Sequence, residues 1–408
     1  MEKNRILKRI GIVFLICILF SNLNASNFLY NIKDKQSSVA SSISTDGEAP
    51  VFNFQSASQI LMEPITGEIL YANNENEKLL PASVTKVMTL LLVMERIDSG
   101  MLKYDDMVTC SANASGMGGS QIWFKEGEQL TVDEALKAIC VVSANDVTVA
   151  MAELIGGSEE NFVAMMNKKA QELGMVNTNF MNSHGIDEDG HYTTAKDIAL
   201  MSRELITKHP DILKYTSIWM DTLRNGTFEL SSTNKLIRFY EGATGLKTGS
   251  TSKALFNLSA TATRNNTTFL AVVMKAPSSD IRLQEIKQLL DYGFANYATK
   301  EIVTKDVLVE QIDINKNINS KANVYVKDGV ATLSKKGANI NTSENITYNN
   351  EITAPLKNGD VVGKIDIINA DTNEIIGSSD LIVKEDINKS SFVEYLEKIL
   401  NLYIIKTN

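Results

Sequence analysis

Leu80-Pro81-Ala82-Ser83-Val84-Thr85-Lys86-Val87-Met88-Thr89 reads as a turn running into a helix. Pro81 suits a first helical turn. Val87, Leu90, Leu91, Met94 and Ile97 recur at helical spacing, and Met88, Leu92 and Val93 between them are apolar too, so the helix is buried all round. The same stretch carries a Ser-x-x-Lys pair. Residues three apart on a helix share a face, so Lys86 can reach the Ser83 hydroxyl. A helix N-terminus favours negative charge developing on that oxygen. A lysine acts as a base only when neutral, and burial plus a second nearby cation would push it toward that state.

Before this helix, Gln59–Met62, a turn at Pro64–Gly67 and Glu68–Tyr71 form a hairpin. After it, Thr131 and Glu134 make a capping-box pattern. Glu159–Leu173, closed by Gly174, and Ala195–Ile206, begun by Thr194 with Asp197 in the box position, read as helices. Ala254–Thr263 and Thr267–Met274 read as strands joined at Arg264–Asn266, followed by a helix from about Asp280 to Tyr297. Strands at both ends with helices between predict an α+β fold. In it, helices pack on an antiparallel sheet whose edge strands come from both ends of the domain. This catalytic domain is expected over residues 51–299.

Residues 300–386 change texture. Short β-type runs (Val307–Ile312, Ala322–Val326, Val361–Ile368, Ser379–Val383) separated by Asn, Asp and Gly predict a small all-β C-terminal domain. Residues 387–408 predict an amphipathic helix with Phe392, Tyr395, Leu396, Ile399, Leu402 and Tyr403 in one stripe. That stripe fits a membrane interface, the alternative being a terminal helix docked on its own β domain or on a partner.

At the other end, Lys3 to Arg9 is basic, Ile10 to Phe20 is apolar and Ala25 stands at a plausible cleavage position. Residues 1–25 therefore read as a secretory signal peptide, with an uncleaved anchor as the alternative, and both place the body outside the cytoplasm. Residues 26–50, crowded with serines, read as a flexible linker. The net charge of −9 and the absence of a basic cluster in the body exclude nucleic acid as the main partner. The three histidines form no metal-ligating pattern, so neither a metal nor a cofactor is expected. Cys140 lies in an apolar helical run and reads as a buried free thiol.

Three short patterns carry chemistry: SxxK, SxN and KTG. SxxK also occurs at Ser232 and Ser250, and SxN at four places, so arrangement must decide. Ser83 is the one SxxK serine at the start of a long buried helix. Ser143-Ala144-Asn145 falls between two helical runs, where a loop can project a hydroxyl and an amide into a cleft. Lys247-Thr248-Gly249 is expected just before a strand, with Gly249 allowing a substrate strand to approach closely.

Together with Asn182-Ser183-His184-Gly185 and Tyr192-Thr193-Thr194-Ala195-Lys196-Asp197, these stretches resemble the low-molecular-mass penicillin-binding proteins, the D-alanyl-D-alanine carboxypeptidases. The resemblance covers about Gln59 to Tyr297 and extends to the β domain through Ala354–Gly363 and to the terminal helix. It implies a penicillin-binding/β-lactamase-like catalytic domain whose partners are peptidoglycan stem peptides, with β-lactams as inhibitors, acting at the outer face of the cytoplasmic membrane. It implies that Ser83 attacks the carbonyl between two terminal D-alanines and Lys86 takes the proton. Ser143 relays a proton to the leaving amine, with help from Lys247, and Asn145 aligns the peptide. Backbone N–H groups of Ser83 and Ser250 form the oxyanion hole, Thr248 and Arg282 bind the terminal carboxylate, and water hydrolyses the acyl-enzyme. Arg282 has the alternative reading of a surface arginine at a helix start. Ala254-Leu255 stands where the family often has Ala-Gly, a departure expected to alter packing behind the strand. His184 is read as structural, holding a loop near Asp197, and His191 and His209 as surface residues.

Three rivals share these features. A class A β-lactamase needs an E-x-x-L-N stretch between SxN and KTG, which this sequence lacks. An inactive wall-binding scaffold would show an eroded site. A D,D-endopeptidase or transpeptidase shares the acyl-enzyme and is not separated from a carboxypeptidase by sequence.

Overall fold

The computed structural model describes residues 51–318, 321–338 and 340–405, so the expected signal peptide and linker lie outside the described residues. The first strands are β1 (Ser58–Met62) and β2 (Ile69–Asn73), the expected hairpin. Later in the chain come β3 (Ala243–Thr251), β4 (Leu255–Arg264) and β5 (Thr267–Ala276). They form one antiparallel sheet in the order β2-β1-β5-β4-β3, so its edges do come from both ends of the domain.

Central β5 shows how the layers form. Leu270, Val272 and Met274 point into one apolar cluster, Phe269, Ala271 and Val273 into another. A strand apolar on both faces must be covered on both. On one side lie α1 (Lys86–Asp98), α2 (Val132–Lys137), α3 (Asn145–Gly156), α4 (Glu159–Glu172) and α5 (Ala195–Lys208). On the other lies α6 (Ser279–Asn296), packing Ile286, Leu289 and Leu290. α1 is buried from Lys86 through Met94, as its unbroken apolar pattern requires. The Thr131–Glu134 capping box is present in full. Thr194 caps α5, whereas the Asp197 carboxylate accepts from Asn177 N–H and the Thr178 hydroxyl, tying a loop rather than closing a box.

The KTG triplet lies inside β3, not ahead of a strand. Leu255, where the family often has glycine, takes φ 53, a left-handed conformation that glycine adopts more readily. The helix expected to reach Tyr297 gives way there to β6 (Tyr297–Val303). The boundary expected between residues 299 and 300 therefore falls within a strand.

The C-terminal region is all β. β7 (Leu308–Asp313), β8 (Lys321–Val326), β9 (Val330–Lys335), β10 (Thr342–Tyr348), β11 (Val361–Asn369) and β12 (Ile375–Val383) follow β6. Five pair as β7-β8-β12-β11-β10, and β6 pairs with β9. Sequence reading missed β6, β9 and β10. β10 (Thr-Ser-Glu-Asn-Ile-Thr-Tyr) buries no residue fully, so it lacks the alternating apolar signal. Thr299, on β6, is bonded from its N–H to Thr267 Oγ1 (2.9 Å) and from its hydroxyl to Glu63 Oε1 (3.2 Å).

The terminal helix α7 spans Phe392–Ile405. Phe392, Val393, Leu396, Ile399 and Leu400 are exposed, and the side chains of Leu402 and Tyr403 lie outside the described residues. Among the described residues no helix is long and apolar enough to cross a membrane.

Candidate active site

Ser83 lies in a short 3-10 turn, Ala82–Thr85, that leads into α1. Lys86 begins the α-helix and is fully buried. Its Nζ is 3.0 Å from Ser83 Oγ, 2.6 Å from Asn145 Oδ1 and 2.6 Å from the His184 carbonyl oxygen. Burial first, then the positive charge of Lys247, hold its pKa well below the usual 10.5, with Asp146 pulling the other way. Both lowering causes are those expected from the sequence.

Ser143 and Asn145 flank a sharp turn. The helix α2 continues into a π-helical turn, Ala138–Val142, which ends at Ser143 with φ 65 and ψ 32. A non-glycine residue held there costs on the order of 1–3 kcal/mol and persists only where its surroundings impose it. The Ser143 side chain is buried and its Oγ has no hydrogen-bond partner. Asn145 starts α3. Its N–H donates to Ser120 O (2.7 Å) and its Nδ2 to Gly118 O (2.8 Å). A Cβ on Gly119 would stand 2.9 Å from that Nδ2, so the loop needs glycine to seat the amide.

β3 brings up the third component. Lys247 is buried, donates from Nζ to Thr248 O (3.0 Å), and has a pKa lowered to about 7, chiefly by burial. The Thr248 hydroxyl bonds the Thr233 hydroxyl (2.8 Å). Gly249 has a close neighbour that the sequence did not reveal. A Cβ there would lie 2.8 Å from Pro81 O and 2.9 Å from the N–H nitrogens of Ser83 and Val84. The glycine admits the Ser83 turn against β3. Ser250 is exposed on the same strand. Arg282 is not a surface residue: it is 8% exposed, its Nη1 donates to Asn257 O (3.2 Å), and it lies near enough to Lys247 to lower that lysine's pKa.

The structure thus brings Ser83, Lys86 and Asn145 into direct contact and packs the Lys247–Gly249 strand against the Ser83 turn. It shows no hydrogen bond from Ser143 to either lysine. Sequence reading missed several supports. Asn257, fully buried, donates to the carbonyls of Leu80 (2.9 Å) and Pro81 (3.0 Å) and so holds the turn. Gly185 has φ 92, and its Cβ position lies 1.9 Å from Ala82 O, so the loop after His184 presses on the turn's backbone.

The histidine expectations also change. His184 is held by partners other than Asp197: its Nδ1 accepts from Ile186 N–H, its Nε2 faces Glu159 Oε1 at 3.6 Å, and its carbonyl is the part that meets Lys86. His191 is buried, not superficial. Its Nδ1 accepts from Met181 N–H, so Nε2 carries the proton and donates to Thr85 Oγ1 (2.9 Å), and burial lowers its pKa to about 4. His209 is half-buried and lies 2.5 Å from Asp98 Oδ2. Cys110 and Cys140 are both buried free thiols.

Residues 44–278 match the family described as D-alanyl-D-alanine carboxypeptidase, and residues 297–389 match the C-terminal domain of penicillin-binding protein 5. The D-alanyl-D-alanine carboxypeptidase DacF of Bacillus subtilis is 40% identical over 350 residues, covering 85% of this chain and 89% of that protein. DacC of Escherichia coli, of the same description, is 33% identical, covering 82% and 84%. Among solved structures, penicillin-binding protein 5 of Haemophilus influenzae superposes with a TM-score of 0.66 at 30% identity, covering 84% of this chain and all of that one. Penicillin-binding protein D2 of Listeria monocytogenes, in its ampicillin-bound form, gives 0.55 at 29% identity, covering 60% and 99%. The chain belongs to the D-alanyl-D-alanine carboxypeptidase family and is a serine-type D-alanyl-D-alanine carboxypeptidase.

Proposed function

We propose that the enzyme removes the terminal D-alanine of peptidoglycan stem peptides through an acyl-enzyme on Ser83, with Lys86 as the base. The observation that carries this is the seat of Lys86. A neutral amine has two N–H bonds and one lone pair. Two N–H bonds match the oxygens of Asn145 and His184 at 2.6 Å, leaving the lone pair toward the Ser83 hydroxyl at 3.0 Å. Ser83 Oγ attacks the carbonyl carbon as its proton passes to Lys86 Nζ. The N–H groups of Ser83 and Ser250 stabilise the oxyanion. Collapse breaks the C–N bond, and the departing amine receives a proton through Ser143, whose unpartnered hydroxyl is free to turn, with Lys247 supporting the relay. Asn145 aligns the peptide, Thr248 and Arg282 hold its terminal carboxylate, and Gly249 lets the Ser83 turn sit beside them. Water then attacks the ester, and Ser83 recovers its proton. The catalytic domain runs from residue 51 through α6, the β domain extends to about residue 386, and β6 joins the two.

Export completes the reading. Residues 1–25 direct the chain outward, 26–50 link it to the body, and residues 387–408 lay the exposed face of α7 on the outer surface of the cytoplasmic membrane. The exposure of Phe392, Leu396 and Ile399 supports this.

Intact-mass spectrometry of the chain from Ser26 onward, incubated with benzylpenicillin, is expected to show one adduct that maps to Ser83 and is lost in Ser83→Ala. D-Alanine should be released from a pentapeptide. No adduct, or rapid turnover to penicilloic acid, would overturn the reading, while acyl transfer to an amine in preference to water would favour the transpeptidase.

A pH profile tests the base separately. Activity requires neutral Lys86, so acylation rises with pH as Lys86 loses its proton, and this limb lies well below 10.5. Removing a like charge raises a lysine pKa. Lys247→Met is therefore expected to move the limb to higher pH, while Lys247→Arg, which keeps the cation, leaves it lower than in the Met variant. Acylation rates measured from pH 5 to 10, with the limb of the Met variant unmoved, would contradict the coupling.

A further inference from the structure

Trp123 is one of two tryptophans in the chain, yet it is 65% exposed and its φ is 54. Large aromatics ordinarily gain from burial, and a positive φ at a non-glycine residue is an outlier that calls for a cause. Here the backbone is clamped from both sides. The N–H groups of its neighbours Ile122 and Phe124 donate to the buried Asp146 carboxylate at 3.0 and 2.9 Å. The carbonyls of Ile122 and Trp123 accept from the Arg224 guanidinium at 3.0 and 3.4 Å. Ile122 and Phe124 are buried, so the chain turns Trp123 outward between two anchors. Its ring meets Phe228 edge-on at 6.1 Å, from the hairpin whose tip carries Arg224.

This clamp is continuous with the catalytic turn. Asp146 follows Asn145 directly, and Asn145 itself bonds Gly118 O and Ser120 O at the start of the same loop. The backbone that displays the ring is thus fixed by the same loop that seats Asn145. Arg224 is paired with Glu128 at 2.7 Å, so the surface beside the ring offers apolar area and not an unpaired cation.

We propose that Trp123 is a specificity-determining platform that packs against an apolar or aromatic acyl group of the donor, upstream of the bond that Ser83 attacks. The proposal rests on the site reading above, in which Asn145 aligns the donor amide. A rigid aromatic that needs no ordering on binding is suited to such a contact.

Two β-lactams separate the effect from general damage. Benzylpenicillin carries a phenylacetyl group on its ring amine, and 6-aminopenicillanic acid carries none. Second-order acylation constants are measured for both on the full chain, as wild type, Trp123→Ala and Trp123→Phe. The ratio of the benzylpenicillin constant to that of 6-aminopenicillanic acid is expected to fall by roughly five- to tenfold in Trp123→Ala, the size of one aromatic contact. It should recover in large part in Trp123→Phe. An unchanged ratio in Trp123→Ala, whether both constants fall together or neither falls, would overturn the platform and leave Trp123 a structural residue. Absence of any Ser83 adduct in the wild type would instead overturn the site reading, and the platform with it.

Discussion

Lys86→Met is expected to slow acylation of Ser83 by about a thousandfold, the middle of the range for loss of a positioned general base. The thioether approximates the length of the lysine chain but has no lone pair basic enough to take the serine proton. Stability should fall through a separate route. Two carbonyl-type oxygens, of Asn145 and His184, lose a donor, a loss on the order of 1–3 kcal/mol each. Removing a buried amine that must stay deprotonated offsets part of it. Lys86→Arg sharpens the result. The guanidinium keeps donors in the seat but does not deprotonate in proteins, so this variant should be as slow as the Met variant. Stopped-flow acylation alongside thermal melting distinguishes the cases. An Arg variant acylating near the wild-type rate would remove Lys86 from the role of base.

Gly185→Ala should be the most damaging single-methyl change. Its Cβ would lie 1.9 Å from Ala82 O and 2.4 Å from the Ala82 carbonyl carbon, with Thr85 Oγ1 at 2.9 Å, and its φ is 92. The conformation costs on the order of 1–3 kcal/mol, and overpacking against backbone on the order of 1–3 kcal/mol more. The turn bearing Ser83 has to move. Because a displacement of about 1 Å can cost about a hundredfold in rate, acylation should fall by about that factor even in protein that remains folded. The same alanine at Gly174, whose Cβ position meets nothing within 4 Å, carries the φ cost without the clash. A comparison of melting temperature and acylation rate in the two variants isolates the contact. Equal effects would show that backbone conformation alone matters at Gly185.

What could be read in advance has a common character. The hairpin, the capping box at Thr131, the buried helix after Ser83 and the Ser83–Lys86 pair all depend on residues close in sequence, where periodicity and i, i+3 geometry apply. What was missed joins distant segments. Asn257 supports Leu80 and Pro81, His191 bonds Thr85, and Gly185 touches Ala82. No local pattern marks these pairs. Gly249 was noticed as a glycine, but its approach to the Ser83 turn was not, because a bare triplet does not tell which backbone comes close. The left-handed conformations of Ser143, Trp123 and Leu255 were invisible for the same reason: tertiary contacts impose them against local preference.

The helix α6 has a practical corollary for anyone cutting this gene into fragments. The match to the carboxypeptidase family stops at residue 278, one residue before that helix begins. Yet Glu285 accepts from the N–H groups of Gln55 and Ser56 and from the Ser56 hydroxyl, fastening the N-terminal lead into β1. Ile286, Leu289 and Leu290 cover the face formed by Leu258, Phe269 and Val273. An expression product ending at the family boundary would bare that face and discard Arg282 with it. A useful catalytic fragment therefore runs at least to the end of α6 and, to keep the Thr299 bonds to Thr267 and Glu63, through β6.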